Sequence, residues 1–202
     1  MDEGCTAEEL NSAFKPNTKA VFGETLANPA LTVLDIEMWA KAAHDHGVPL
    51  IIDNTFATPI LCRPMEWGAD IVIHSTSKYM DGHAVQVGGV IVDSGKFDWT
   101  SGKFPCMTEQ DESYHGLIYT KDYPAAPYII KARMQLMRDF GCYPAAHSSF
   151  LLNLGLETLA VRMKRYCENA LKVAEYIEST GKAEFVTYPA LPNSKGHELA
   201  KK

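Results

Sequence analysis

The chain has 202 residues, with 19 basic and 25 acidic side chains and a formal net charge of −6, so it offers no basic surface to nucleic acid or an anionic membrane. Hydrophobic residues make up 46% and charged residues 22%, which is typical of a globular protein with a buried core and not of a disordered chain. Five scattered cysteines without a CxxC pair argue against a disulfide framework or a structural zinc site. With no secretory signal and no apolar run near the ~20 residues of a membrane helix, we expect a cytoplasmic protein.

Short apolar segments alternate with helical patterns through the first half of the sequence. The clearest helix is predicted over residues 35–46, because its apolar residues recur at spacings of three and four, Asp35 opens it and Gly47 closes it. Further predicted elements are strands at 19–24, 49–54, 70–75 and 87–93 and a second helix at 59–68. The last strand follows its predecessor too closely for a helical crossover, so we predict a mixed, mostly parallel α/β sheet buried between helices.

The second half of the sequence has a different character. Residues 97–123 show no clear period and predict a long ordered loop, and loops of that length are usually functional. Apolar residues then alternate at spacings of three and four from 156 to 177, which predicts a long core helix, with a coiled coil as the alternative. A further strand is predicted at 183–189. We therefore expect residues 1–155 to form part of a large domain, and residues 156–202 to form a connecting helix and the start of a smaller α/β domain.

Chemistry-bearing residues lie at the ends of two predicted neighbouring strands. Asp53 ends the strand at 49–54, and Ser75, Ser77 and Lys78 follow the strand at 70–75. The carboxyl ends of strands in an open α/β sheet form the crevice where ligands bind. In a dry crevice a lysine loses its proton readily and becomes an imine-forming amine. Thr55 points to the same face as Asp53 if the extended conformation persists.

These residue types match the needs of pyridoxal phosphate. The cofactor requires a lysine amine, hydroxyl and N–H groups around its phosphate, and a carboxylate for its ring nitrogen. On the pattern alone, a surface lysine and a solvated strand-end aspartate remain the alternative.

The motif GADIVIHSTSKY resembles the segment around the cofactor lysine in the pyridoxal-phosphate enzymes of cysteine and methionine metabolism. The resemblance runs from about residue 15 to 197. The elements GGVIVDSGKFDW, GKFP and SYHG are most similar to the O-acetylhomoserine sulfhydrylase branch of that family. The resemblance implies an aspartate-aminotransferase-like (type I) α/β fold and a homo-oligomer whose substrates are an amino acid and sulfide.

The resemblance also implies roles for individual residues. Lys78 would bind the cofactor covalently and move protons at the substrate Cα. Asp53 would pair with the ring nitrogen, Ser75 and Ser77 would hold the phosphate, and Thr55 would pack beside the ring. Asn28, in the ETLANP turn, matches the family asparagine near the cofactor's phenolic oxygen and the substrate carboxylate. The family usually has threonine where Ser77 stands, and a more glycine-rich loop than MDGHAVQVGG after Tyr79.

The implied reaction is a γ-replacement in which acetate leaves O-acetylhomoserine, sulfide adds at Cγ and homocysteine is released. Family chains are about twice as long, so we expect this chain to be a central fragment with little or no activity alone. Two alternatives remain: a γ-lyase or γ-synthase reaction with the same cofactor, and an inactive fragment that serves only as a structural piece. Product analysis and cofactor binding discriminate between them.

Other candidate sites are weaker. The seven histidines do not recur at metal-ligand spacing, and His44 and His46 are two apart on a predicted helix, so no metal site is expected. Gly88-Gly89 is not a dinucleotide-binding fingerprint and is expected to relieve crowding beside the lysine loop. Cys62 and Cys106 have no adjacent base and are expected to be small buried hydrophobes.

Overall fold

The computed structural model describes residues 4–202 and contains one four-stranded sheet. The strands are β1 (Val21–Glu24), β2 (Leu50–Asp53), β3 (Ile71–Ser75) and β4 (Gly89–Asp93), in the spatial order β1-β2-β3-β4. The pairs β1–β2 and β2–β3 are parallel, whereas β3–β4 is antiparallel. The predicted mixed α/β sheet is therefore confirmed, and all four predicted strands lie within one or two residues of their expected bounds.

Helices connect the strands and make up most of the second half of the chain. Their bounds are α1 Ala7–Ser12, α2 Ile36–Asp45, α3 Thr58–Leu61, α4 Pro105–Thr108, α5 Tyr119–Asp122, α6 Pro127–Lys131, α7 Arg138–Phe140, α8 Ala146–Glu157, α9 Leu159–Thr180 and α10 His197–Ala200. Short 3₁₀ turns lie at Pro64–Trp67 and Glu112–Tyr114, and the π-helical segment Ala132–Met137 joins α6 to α7. No helix within residues 4–202 combines the length and apolar character that a membrane crossing requires.

Helix α2 forms as its sequence predicts. The Asp35 carboxylate accepts a hydrogen bond from the Met38 N–H (3.1 Å), which satisfies an N-terminal donor that the helix itself leaves free. The buried face of α2 packs on β2 beside Val48 and Leu50, which are fully inaccessible to solvent. Gly47 follows the helix with φ of +63°, a conformation that glycine adopts without steric cost.

Three predicted elements differ in the structure. The helix predicted at 59–68 is divided into α3 and a 3₁₀ turn, since the chain becomes extended at Cys62 and Pro64 begins the second piece. The long helix begins at Leu159 as α9, separated from α8 by Thr158. The strand predicted at 183–189 is wrong: these residues are irregular, and Phe185 is 77% exposed because no described strand pairs with them.

The predicted loop at 97–123 is ordered by two side-chain clusters. Phe97, Trp99 and Phe104 stack edge to face, with ring centroids 4.8 to 5.7 Å apart. Asp111 accepts hydrogen bonds from Lys131 Nζ (2.8 Å) and from the hydroxyl of the fully buried Tyr119 (3.3 Å). These contacts attach the loop to the sheet and to α6, and the segment contains the short helices α4 and α5.

Candidate active site

A chain of hydrogen bonds joins the carboxyl ends of β2 and β3. The N–H and hydroxyl of Thr55 both donate to Asp53 Oδ1, at 2.9 and 2.5 Å. The Thr55 oxygen in turn accepts from the Ser75 N–H at 2.8 Å. Three of the predicted site residues are therefore held together at one sheet edge. Thr55 lies in a turn, so the extended conformation on which its predicted placement was conditional does not persist, and its side chain contacts Asp53 through that turn instead.

The buried side chain of Asn54 stabilises this edge of the sheet. Its side chain is completely buried, accepts from the Thr25 hydroxyl (2.7 Å) and donates to the Cys62 carbonyl (2.8 Å). The amide thus links the end of β1 to the segment after α3. Asn54 is not among the predicted site residues, although a polar residue directly after an apolar strand must find hydrogen-bond partners if it is buried.

Lys78 lies in a tight turn directly after β3. Its N–H donates to the Ser75 carbonyl (3.3 Å), and its own carbonyl accepts from the Gly82 N–H (2.8 Å). The Lys78 side chain is exposed, so the predicted dry crevice is absent from the described part of the chain.

Ser77, directly before Lys78, hydrogen-bonds to the backbone of Gly88, directly before β4. The Ser77 oxygen accepts from the Gly88 N–H (2.9 Å) and its hydroxyl donates to the Gly88 carbonyl (3.3 Å). A Cβ on Gly88 would lie 2.9 Å from Thr76 Oγ1, closer than ordinary contact. The expected relief of crowding beside the lysine loop is therefore seen at Gly88.

Asn28 lies four residues beyond β1, whose last residue Glu24 is in register with Asp53. Its N–H donates to a Glu24 carboxylate oxygen (2.9 Å), and its side chain is exposed. Asn28 therefore lies on the strand-end side of the sheet without hydrogen-bonding to the other predicted site residues.

The histidines behave differently from one another. His44 Nε2 contacts Asp70 Oδ2 (2.8 Å), which also accepts from the Leu50 N–H (2.8 Å), so this pair stabilises the start of β2. His74 is buried in β3, and its Nδ1 has no hydrogen-bond partner among the described residues. Burial lowers the pKa of His74, partly offset by the Asn54 backbone and the Asp53 charge. Residues 4–202 contain no metal-binding group of three or more His, Cys, Asp or Glu side chains.

Two of the cysteines are disfavoured as nucleophiles by their surroundings. Burial raises the pKa of the Cys62 thiol, with a further contribution from the negative charge of Glu66, and burial alone raises the pKa of Cys167. A raised pKa depletes the reactive thiolate. Cys62 is partly buried as expected, whereas Cys106 is exposed, contrary to the expectation.

A mixed α/β sheet with an amine, a carboxylate and hydroxyls at the carboxyl ends of parallel strands defines the class of protein that binds a small molecule at its strand edge. Residues 1–202 match the family model described as Cys/Met metabolism PLP-dependent enzyme. The chain belongs to this family, which confirms the resemblance and the predicted cofactor, pyridoxal 5'-phosphate.

Curated relatives carry related names. The chain is 45% identical over 203 residues to a homocysteine/cysteine synthase from Saccharomyces cerevisiae, covering 99% of this chain and 46% of the relative. It is 43% identical to an O-acetyl-L-homoserine sulfhydrylase from Leptospira meyeri, covering 96% of this chain and 46% of the relative. The chain thus spans about half the length of the curated relatives it matches.

Solved structures show the same fold. An O-acetylhomoserine (thiol)-lyase from Campylobacter jejuni, solved with N'-pyridoxyl-lysine-5'-monophosphate, matches with a TM-score of 0.91 and 36% identity over 97% of this chain and 48% of that one. An O-acetylhomoserine sulfhydrylase from Wolinella succinogenes matches with a TM-score of 0.86 and 31% identity, covering all of this chain and 55% of that one. The predicted fold class is confirmed.

The described residues fit the cofactor in their chemistry. Asp53 Oδ2 is left free by the two Thr55 bonds, which use only Oδ1, so it can accept from a protonated ring nitrogen. Ser77 can turn its hydroxyl proton toward a phosphate oxygen while its oxygen still accepts from the Gly88 N–H. Ser75 and Lys78 have no side-chain hydrogen bond within residues 4–202 that would compete.

Proposed function

We propose that these residues serve a pyridoxal-phosphate-dependent γ-replacement in the intact enzyme. O-Acetylhomoserine and hydrogen sulfide give homocysteine and acetic acid: the Cγ–O bond breaks, a Cγ–S bond forms, and one sulfide proton balances the departing carboxylate. The observation that carries the proposal is the free carboxylate oxygen of Asp53 beside the Lys78 turn at the carboxyl ends of adjacent parallel strands. The names of the relatives support the choice of substrates.

Each residue has a distinct task in this proposal. Lys78 would hold the cofactor through its amine and would carry protons at the substrate Cα and Cβ. Asp53 keeps the ring nitrogen protonated, and Thr55 fixes the carboxylate by occupying Oδ1. Ser75 and Ser77 bind the phosphate. When bound, the cofactor supplies the electron sink, and the protein supplies orientation and proton transfer.

Asn28 belongs to the substrate side of the proposed site. It is exposed at the strand edge, and its backbone is held by Glu24 while its side-chain amide remains available. The amide NH2 group offers two N–H donors, so it suits the oxygen acceptors of the substrate carboxylate and the cofactor's phenolic group together.

Cofactor capture is the first test. The purified chain is mixed with pyridoxal phosphate, and absorbance spectra monitor binding. Borohydride then reduces the adduct, and peptide mass mapping locates the labelled residue. We expect the label on Lys78, its loss in Lys78→Ala, and its retention in Lys96→Ala, where the lysine is also exposed. A label spread over many exposed lysines, or unchanged labelling of the Lys78→Ala chain, would contradict the assignment.

Turnover by the isolated chain is the second test. We expect little or no homocysteine from O-acetylhomoserine and sulfide, because the exposed Lys78 amine lacks the water-excluding cover that strengthens electrostatic catalysis. Substantial homocysteine formation would overturn this expectation. Release of an α-keto acid and ammonia would instead favour the γ-lyase alternative, and a folded chain that captures no cofactor would favour a structural role.

The finer features of the proposal concern the intact enzyme. Sulfide as co-substrate, a homo-oligomer and a cytoplasmic location are proposed together with the activity. We also propose a domain boundary near residue 155, which is supported by the interruption between α8 and α9 at Thr158. Sedimentation velocity tests the association, and limited proteolysis tests the boundary.

A further inference from the structure

The turn that carries Lys78 is held by a single arginine from α9. Arg162 Nη1 donates to the Tyr79 carbonyl (2.7 Å), and Nη2 donates to the Met80 carbonyl (3.3 Å). Nη2 also donates to the Gly155 carbonyl (2.8 Å), and Nε donates to Thr158 Oγ1 (3.0 Å). One guanidinium therefore joins the two residues after Lys78 to the junction between α8 and α9.

Apolar contacts on the same face of α9 reinforce this connection. Met80 is buried against Leu159 and Met163, and the Tyr79 ring lies 5.7 Å from that of Tyr166. Positions 159, 162, 163 and 166 share one helix face by their spacing. This face of α9 packs on the lysine turn, and Arg162 supplies its polar centre.

Two glycines leave space for the connection. A Cβ on Gly82, where φ is +70°, would lie 2.3 Å from Arg162 Nη1. A Cβ on Gly155 would lie 2.4 Å from the Asp81 carbonyl oxygen and 2.6 Å from that of Met80. Neither position tolerates a larger residue without displacing the guanidinium or the turn.

We propose that Arg162 is a positioning residue for Lys78, a role that rests on the proposed function. The arginine is always charged and presents donors in a planar fork, so it can hold two successive carbonyls in fixed directions. Fixing the carbonyls of Tyr79 and Met80 fixes the backbone from which the Lys78 amine projects. The merely structural alternative is that Arg162 braces α8 against α9 and leaves the turn unaffected.

The test compares Arg162→Ala with Arg165→Ala. Arg165 lies on the same helix, is 67% exposed and forms an ion pair with Glu168 of that helix. The first measurement is amide hydrogen exchange at Asp81 and Gly82, whose N–H groups donate to Thr76 and Lys78 within the turn. We expect their exchange to accelerate about tenfold or more in Arg162→Ala and to remain unchanged in Arg165→Ala. Protection in β2 reports that the sheet remains folded.

The second measurement is chemical rescue. Added guanidinium ion, kept below denaturing concentrations, should restore slow exchange in the turn of Arg162→Ala and restore the rate of borohydride-trapped pyridoxal phosphate labelling at Lys78. Ammonium at equal ionic strength should restore neither, because it lacks the planar donor fork. A brace between helices would not predict recovery at Lys78.

Three results would each overturn the proposal: unchanged exchange in Arg162→Ala, equal effects of the two arginine substitutions, or failure of guanidinium to rescue Arg162→Ala. Loss of protection in β2 would mean that the Arg162→Ala chain does not fold, and Arg162→Lys would then be used as the test variant. The proposal requires faster exchange in the turn of Arg162→Lys than in the unsubstituted chain while β2 stays protected. If the unsubstituted chain captures no cofactor, the proposed function fails. The hydrogen-exchange data still decide whether Arg162 holds the turn.

Discussion

Asp111 is the most strongly acidified carboxyl group of the described chain. Lys131, Ser113 and Tyr119 hold its pKa at about 2, with the hydrogen bond from Lys131 the largest cause. Its side chain is 13% exposed, and Lys131 also lies 4.4 Å from the centre of the Tyr119 ring. Burial and the Asp111 charge raise the pKa of Tyr119 to about 12. The cluster therefore favours the ionised carboxylate and the neutral phenol.

The Asp111→Asn variant should show a stability difference that depends on pH. The folded pKa is below the unfolded value of about 3.9, so the carboxylate stabilises the fold above that pH, and this contribution decreases as the pH falls toward about 2. Urea unfolding at about pH 6 should separate the two chains, and the difference should shrink below about pH 3. A difference independent of pH would contradict the assignment; Glu109→Gln, at an exposed position in the same loop, is the control.

Thr55 provides a residue-scale test of the proposed site. Replacement by valine removes the acceptor of the Ser75 N–H and a donor to Asp53, so it should lower the free energy of unfolding by about 1–2 kcal/mol. The same change should slow pyridoxal phosphate labelling of Lys78, because the strand ends are no longer tied. Thr55→Ser retains the hydroxyl and should restore both properties. Equal behaviour of the valine and serine variants would disprove the role of the hydroxyl.

Strand ends could be predicted from sequence, whereas side-chain partners could not. Asp53 and Lys78 follow short apolar segments that are recognisable along the chain, and their shared edge follows from parallel pairing. The bond between Thr55 and Ser75 spans 20 residues and depends on the exact strand register. The missing partner of His74 Nδ1 and the buried amide of Asn54 depend on packing from several elements, which local pattern does not encode.

Among helices and strands too, local features could be predicted from sequence and long-range contacts could not. The bounds of α2 could be predicted because its cap and apolar face are local features. The strand predicted at 183–189 is absent because a strand needs a hydrogen-bonding neighbour, which its own composition cannot supply. The close packing of α8 on the lysine turn likewise has no local signal beyond the presence of Gly155.

The Gly155→Ala variant tests how α8 packs on the turn. The added methyl group would collide with the carbonyl oxygens of Met80 and Asp81, so we expect a loss of about 1–3 kcal/mol or more in the free energy of unfolding, despite the better helix propensity of alanine. Asn153→Ala, at an exposed position of the same helix, should change stability by about 0.5 kcal/mol or less. Denaturant unfolding measures both. A neutral Gly155→Ala chain would show that the contact can open without cost.

The molecule as a whole leaves much apolar surface in contact with solvent. Val90, Ile91 and Val92 on β4 are 37%, 46% and 42% exposed, although strand residues alternate between the two faces of a sheet. Strand β4 is also the last in the sheet order, so one of its edges has no partner among the described strands. An apolar open edge favours association between chains.

The Ile91→Lys variant should reduce concentration-dependent self-association of the purified chain. A charge on the β4 edge adds a desolvation cost to strand-to-strand contact, whereas Val161→Lys places the same charge on α9, outside the sheet, at a position that is 70% exposed. Light scattering over a concentration series measures the effect. Equal improvement in both variants would attribute it to net charge alone and contradict the role of β4.

The Arg162–Tyr79 hydrogen bond joins residues 83 positions apart. A ribosome that adds about 5–20 residues per second completes the lysine turn roughly 4 to 17 s before it has made Arg162. The β2–β3 contact at Thr55 and Ser75 spans only 20 positions and can form well within that interval. The sheet edge therefore precedes its arginine during synthesis, and a nascent chain stalled before α9 carries Lys78 on a turn that lacks its Arg162 hydrogen bonds.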